Sequence, residues 1–176
     1  EAGLSLDGLT LGDLPTRWHP LVRRYVLHHP GRRGADLDLE ALNSASAHLV
    51  GEHNFAAFCR AREGASSVRT VRELCWERQH DDGIVVMRVT ADAFCHSMVR
   101  SLVGALLDIG QGRRGVAWID ELLSQQERTS QVQVAPARGL TLESVAFPPD
   151  EELAAQAVRT RRRREAPAGT PATPTG

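Results

Sequence analysis

The sequence predicts an α+β domain, a mainly antiparallel sheet with helices packed on one face. Three observations carry this. Cys75-Trp76-Glu77-Arg78-Gln79-His80 and Ile84-Val85-Val86-Met87-Arg88-Val89 are β-type runs joined by Asp81-Asp82-Gly83, a hairpin turn signal. An apolar helical stretch follows directly, from Phe94 through Gly104. With the flanking segments added, the order α-β-β-α-α-β fits a sheet that collects its helices on one side.

The elements follow in chain order. Residues 1–17 carry Gly, Leu and Asp without periodicity and end near Pro15, so they read as a linker left from a preceding domain. Trp18-His19-Pro20-Leu21 and the neighbouring Tyr25 read as part of the connection toward the first helix, with Tyr25 structural. Pro30-Gly31-Arg32-Arg33-Gly34 is a loop, after which Asp36 or Asp38 caps a helix carrying Leu39, Leu42, Ala45 and Leu49 on its inner face. The hairpin comes next, then the helix that Gly110 stops, a short helix over Trp118 to Leu123, and a last strand over Leu140 to Phe147. The main domain therefore spans 18–150. Beyond it, 151–165 reads as a charged helical tail whose acids come first and arginines last, complementing the helix dipole. The same arginine cluster would also attract RNA by counterion release. The Pro, Ala, Thr and Gly of 166–176 cannot build a core and read as disordered.

Composition narrows the class. A chain of 176 residues with 41% hydrophobic content can bury a substantial core. No apolar run approaches the roughly 20 residues that cross a bilayer, so no membrane partner is expected. Three cysteines without paired spacing read as reduced thiols, in keeping with a cytoplasmic location. Net charge is -1, yet all 21 cationic residues are arginine, whose planar fork suits phosphate and stays charged at any working pH. Arg60, Arg62 and Arg69 lie close enough in sequence to form a phosphate-contacting patch, with a solvated face as the equally weighted alternative.

Arg100 needs its own explanation. Val99, Leu102, Val103, Leu106 and Leu107 share one apolar arc at 3.6 residues per turn, and Arg100 sits at its edge beside Gly104 and Leu107. Near a helix start, it gains nothing from the dipole. Snorkelling of the guanidinium along the core margin is the plain account. Three rival motifs fall away. Gly110-Gln111-Gly112-Arg113-Arg114-Gly115 matches G-x-G-x-x-G but follows a helix where a dinucleotide site needs a strand. His28, His29, His48 and His53 lack ligand spacing with thiolate support, so no metal is expected. No serine nucleophile elbow occurs.

Four segments in order carry a family resemblance. Phe94-Cys95-His96-Ser97-Met98-Val99-Arg100 through Val103-Gly104 resembles the third motif of the TruA-type tRNA pseudouridine synthases. Gly51-Glu52-His53-Asn54-Phe55-Ala56-Ala57-Phe58 is similar to the family's Gly-Glu-x-Asp-Phe-x-x-Phe segment, with Asn54 in place of the usual Asp. Ser67-Val68-Arg69-Thr70-Val71 and Arg138-Gly139-Leu140-Thr141-Leu142 resemble two of its strands. Together they cover Pro20 to Pro149, and four matches in order are far more specific than one.

The resemblance implies the C-terminal half of the pseudouridine synthase fold and cofactor-free isomerisation of uridine to pseudouridine in the anticodon stem-loop of tRNA. It implies that Arg100 pairs with the catalytic aspartate, that Phe94, His96, Met98 and Leu140 form the substrate pocket, and that the complete protein is a cytoplasmic homodimer with tRNA as partner. The aspartate itself is expected in a Gly-Arg-Thr-Asp-Ala-Gly-Val-His segment, which this sequence lacks. The nearest string, Thr90-Ala91-Asp92-Ala93, reads better as a helix lead-in with Asp92 as N-cap. The chain is accordingly expected to be a fragment that is inactive alone. The alternative is a non-catalytic RNA-binding or protein-interaction module that retains the fold.

Overall fold

Alternation along Val85–Ala91 decides which face of the sheet is dry. Val85, Met87, Val89 and Ala91 are each at most 1% exposed, while Arg88 and Thr90 between them are half-buried. On the neighbouring strand, Leu74 and Trp76 lie opposite Val89 and Met87 and join the same core. The computed structural model describes residues 37–62, 65–79, 84–145, 149 and 151–152, together with the backbone of 21–26. Its elements are β1 (Leu21–Val26), α1 (Leu39–Ala47), β2 (Gly51–Asn54), β3 (Val68–Arg78), β4 (Val85–Ala91), α2 (Met98–Gly110), α3 (Trp118–Leu123) and β5 (Leu140–Val145). Short 3-10 turns occupy Ala56–Phe58 and Ala137–Gly139. The five strands form one sheet in the order β2-β3-β4-β1-β5, antiparallel at every pairing. The α+β class and the β3–β4 hairpin are as the sequence predicts.

Two strands differ from expectation. Residues 21–26, read as connection, form β1 between β4 and β5. Consecutive arginines in Leu21-Val22-Arg23-Arg24-Tyr25-Val26 break the alternation that marks a strand, and a register shift at Val22/Arg23 breaks it again on the β5 side. Strand β2, Gly51-Glu52-His53-Asn54, is a short polar edge without apolar alternation. The linker over 1–17, the loop at 30–34 and nearly all of the tail beyond 150 lie outside the described residues, where only Glu151 and Glu152 are seen, in helical conformation.

Helix α1 resolves its cap in favour of Asp38, whose Oδ1 accepts from the Ala41 N–H at 2.9 Å. Leu42, Ala45 and Leu49 are fully buried, as periodicity predicts. Strand β2 covers one edge of β3 only as far as Val71, and the Asn43 side chain of α1 takes over beyond it. Its amide donates to Trp76 O at 3.0 Å and its carbonyl accepts from Trp76 N at 2.8 Å, standing in for an absent strand. Asn43→Ala leaves both backbone groups without their partner. The expected cost is about 1–3 kcal/mol in denaturant unfolding, with Asn43→Asp, which keeps the acceptor, costing less.

Helix α2 is buried on almost every side: Val99, Leu102, Val103, Ala105, Leu106 and Ile109 are at most 4% exposed. One arc faces the sheet and α1, where Gly110 lies so close to Leu42 that an added Cβ would come within 2.7 Å of its Cγ. The opposite arc is covered by the extended segment 131–136, whose Val132 and Ala135 are 7% and 6% exposed. A helix apolar all round belongs inside, and here the segment following α3 provides the missing cover. On the polar face of the sheet, Arg88 bridges Glu77 of β3 and Glu143 of β5 at 3.4 and 3.3 Å. The hydrogen bond that Arg88 Nε donates to Glu143 holds the Arg88 proton more tightly than usual.

The cysteines correct one expectation. Cys59 and Cys95 are joined as a disulfide with Cα atoms 5.7 Å apart, leaving Cys75 as the free thiol. Their 36-residue separation hides the pairing in the sequence. It arises because the Arg60 N–H donates to His96 O at 2.9 Å and draws the two segments together. Burial, reinforced by Glu73, raises the Cys75 thiol above its ordinary range and keeps it protonated.

Candidate functional site

The residues after β4 begin the site. Asp92 is not the N-cap of α2. Its Oδ1 accepts from Thr70 N at 2.9 Å and Ala93 N at 2.8 Å, fastening the end of β4 to β3. The helix starts later, at Met98, because Phe94 to Ser97 run as a lead-in, and Ser97 takes a left-handed conformation at φ 69°. A non-glycine residue held there is uncommon and needs support from its surroundings. Ser97 Oγ lies 3.1 Å from His96 Nδ1.

That lead-in faces the segment between the 56–58 turn and β3, and together they enclose a cleft of about 160 Å³. Its walls include Arg60, Arg62, Arg69, Phe94 and His96, with Ser66, Ser67 and the Cys59–Cys95 link, and no carboxylate is among its described lining residues. Arg60, Arg62 and His96 are exposed; Arg69 and Phe94 are half-buried. Asn54 secures the cleft's far wall. Its Oδ1 accepts from Ser67 Oγ at 2.6 Å and from Ala56 N at 3.1 Å, while its amide donates to Gln126 Oε1 at 3.0 Å. An aspartate could accept the first two bonds but not donate the third. Arg69 Nη1 donates to Val68 O at 2.5 Å, which holds its guanidinium along β3.

The structure thus brings Arg60, Arg62, Arg69, Phe94 and His96 to one cleft. Arg100 stands four residues after His96, in the first turn of α2, and does not line that cleft. It is half-buried, and its Nε donates to Ala135 O at 2.5 Å, while the Ala135 N–H donates back to Arg100 O at 3.0 Å. Among the described residues no carboxylate pairs with it. Met98 is fully buried in the core, and Leu140 packs at the core margin at the start of β5, in register with Tyr25 of β1. The contact residues Gly104, Gln133 and Ala135 escaped the sequence reading. The one signal was an isolated glycine inside an apolar helix, which asks for a packing reason.

The rival motifs have structural accounts. Gly110 to Gly115 forms the C-terminal stop of α2: Gly112 adopts φ 71°, and the Arg113 and Arg114 amides donate to Asp108 O. His48 pairs with Asp120 at 2.9 Å, and His53 Nε2 lies 3.1 Å from Val50 O. Among the described residues no three His, Cys, Asp or Glu side chains converge.

Comparison with known proteins then supplies the family. The family model described as tRNA pseudouridine synthase matches residues 45–148, which hold the cleft, α2 and the segment that covers it. The chain is 48% identical over 157 residues to tRNA pseudouridine synthase A of Streptomyces griseus, covering 89% of this chain and 54% of that protein. To the protein of the same name from Frankia casuarinae it is 50% identical over 164 residues, covering 93% and 56%. The Mycobacterium leprae protein of that name is 45% identical over 151 residues, covering 86% and 51%. The chain spans about half the length of these relatives. It belongs to the TruA-type tRNA pseudouridine synthase family.

Proposed function

We propose that this chain supplies the phosphate-binding cleft and the charge-pairing arginine of an enzyme that isomerises uridine to pseudouridine in the anticodon stem-loop of tRNA. The observation that carries this reading is the pairing of a cleft that holds Arg60, Arg62, Arg69 and His96, with no carboxylate among its described lining residues, and a fixed, half-buried Arg100 four residues after His96. The relatives' name points to tRNA as partner.

The chemistry assigns the roles. Uracil must be detached from ribose, turned and rejoined through carbon, which requires a nucleotide extruded into a closed pocket. An aspartate acting as nucleophile or base must stay ionised there, and an adjacent guanidinium keeps it so. Arg100 is that guanidinium, and the aspartate comes from residues outside this sequence. Phe94 and Leu140 offer apolar surface to the base, Met98 supports Phe94 and the helix start from within the core, and His96 faces the ribose-phosphate side. Arg60, Arg62 and Arg69 neutralise phosphates flanking the extruded nucleotide.

The 176-residue chain alone is expected to form no pseudouridine in an unmodified tRNA transcript, read by nucleoside mass spectrometry. Addition of the segment bearing Gly-Arg-Thr-Asp-Ala-Gly is expected to restore it. Turnover by the chain alone that Asp92→Ala abolishes would overturn the assignment of the aspartate.

A further inference from the structure

Arg100 and Gly104 stand four residues apart on α2 and therefore share a face one turn above the other. The segment 131–136 crosses that face. At Arg100 it makes two bonds through a single residue, Ala135, whose N–H donates to Arg100 O and whose carbonyl accepts from Arg100 Nε. At Gly104 it comes so near that a Cβ would stand 1.7 Å from Gln133 O and 2.8 Å from Gln133 C. Those are backbone atoms, which cannot swing aside as a side-chain end can. Val132 and Ala135 bury their side chains and anchor the crossing.

We propose that the 131–136 segment is a strap that positions Arg100 for catalysis, and that Gly104 is the residue that admits it. The inference rests on the reading of Arg100 as the partner of the catalytic aspartate. An arginine has five N–H donors. The strap occupies the one on Nε and fixes the plane of the fork, so the four on the two Nη atoms remain to grip a carboxylate end-on. Without the strap the guanidinium would sample several rotamers, and the aspartate would meet it in a wrong orientation for most of the time. Gly104 and Ala135 are positioning residues in this scheme. Neither touches the substrate.

The test compares two glycines of the same helix. At Gly104 an added methyl meets the strap backbone; at Gly110 it meets the buried side chain of Leu42, nearest at its Cγ, and leaves the strap untouched. In the complete enzyme that contains the aspartate, Gly104→Ala is expected to lower kcat about 100-fold, the scale of a small misplacement of a catalytic group, with KM for tRNA within about threefold. Gly110→Ala is expected to lower the melting temperature while kcat stays within about threefold. A readout independent of turnover is the Arg100 Nε–H resonance in the 176-residue chain: hydrogen-bonded and slow to exchange in the native chain and in Gly110→Ala, fast in Gly104→Ala. If Gly104→Ala does not yield folded protein, Val132→Ala decides, because it loosens the strap's anchor without a clash; it should lower kcat about tenfold at unchanged KM. A native kcat in Gly104→Ala, or in Val132→Ala where only that variant folds, overturns the strap, as does an Nε–H that exchanges fast in the native chain. Failure of the unsubstituted complete enzyme to form pseudouridine overturns the functional reading and the strap with it.

Discussion

Arg100→Ala in the complete enzyme is expected to lower kcat by about 10²–10⁴-fold while leaving most of the folded stability in place. The size follows from what the side chain holds. Removing one member of a desolvated ion pair leaves the other charge uncompensated, at a cost of about 3–5 kcal/mol, and each 1.36 kcal/mol is a factor of ten in rate. Here the abandoned partner would be the catalytic aspartate. Left without its cation in a closed pocket, it would take up a proton and lose its capacity as nucleophile. Folding should lose less, because among the described residues the Arg100 side chain makes one hydrogen bond, Nε to Ala135 O, worth about 1 kcal/mol. Arg100→Lys should recover little, since an ammonium keeps the charge but offers neither the Nε donor nor the planar fork. A second expectation follows for the pH profile. The acid limb of kcat should move to higher pH in Arg100→Ala, because the aspartate then holds its proton more tightly. Equal losses of kcat and of folded protein would instead make Arg100 a snorkelling residue of the helix margin.

How far the sequence spoke depends on whether the physics was local. The β3–β4 hairpin and α2 declared themselves because their apolar residues recur at the right period over many positions. Strand β1 did not, since Arg23 and Arg24 interrupt the alternation and its place between β4 and β5 is decided by pairing with residues sixty or more positions away. Asp92 looked like a helix cap because its residue type suits one; the actual cap position of α2 lies five residues later, at Ser97, after backbone turns at His96 and Ser97. The cleft was half legible. Arg60, Arg62 and Arg69 could be grouped from their spacing, whereas their meeting with Phe94 and His96 depends on the Arg60 to His96 backbone bond and the Cys59–Cys95 link across the chain. The strap was opaque for a different reason. Residues 131–136 have no periodicity, and a backbone carbonyl leaves no mark in a sequence.

The triple change Arg60→Ala, Arg62→Ala, Arg69→Ala is expected to weaken tRNA binding by about 100-fold at 0.15 M salt and by little at 1 M. The cleft these arginines line holds His96 as well, with no carboxylate among its described lining residues, and such a concentration of cations attracts a polyanion. If each neutralises one phosphate, the slope of log affinity against log salt should fall by about 2–3 in the variant, since each contact contributes roughly 0.7–0.9. Between 1 M and 0.15 M that slope amounts to about the 100-fold stated. The loss should be uniform across tRNA sequences, because phosphate contacts fix register without reading bases. Single substitutions divide the effect unequally. Arg69 is half-buried and tied to Val68 O, so its guanidinium is already ordered and little freedom is lost on binding; Arg60 and Arg62 are exposed and must be ordered by the RNA. Arg69→Ala should therefore cost the most in affinity although all three reduce the salt slope by a similar amount. Fluorescence anisotropy with labelled tRNA over a salt series separates the two quantities. An unchanged slope in the triple variant would make the three side chains a solvated face and move the phosphate contacts elsewhere on the protein.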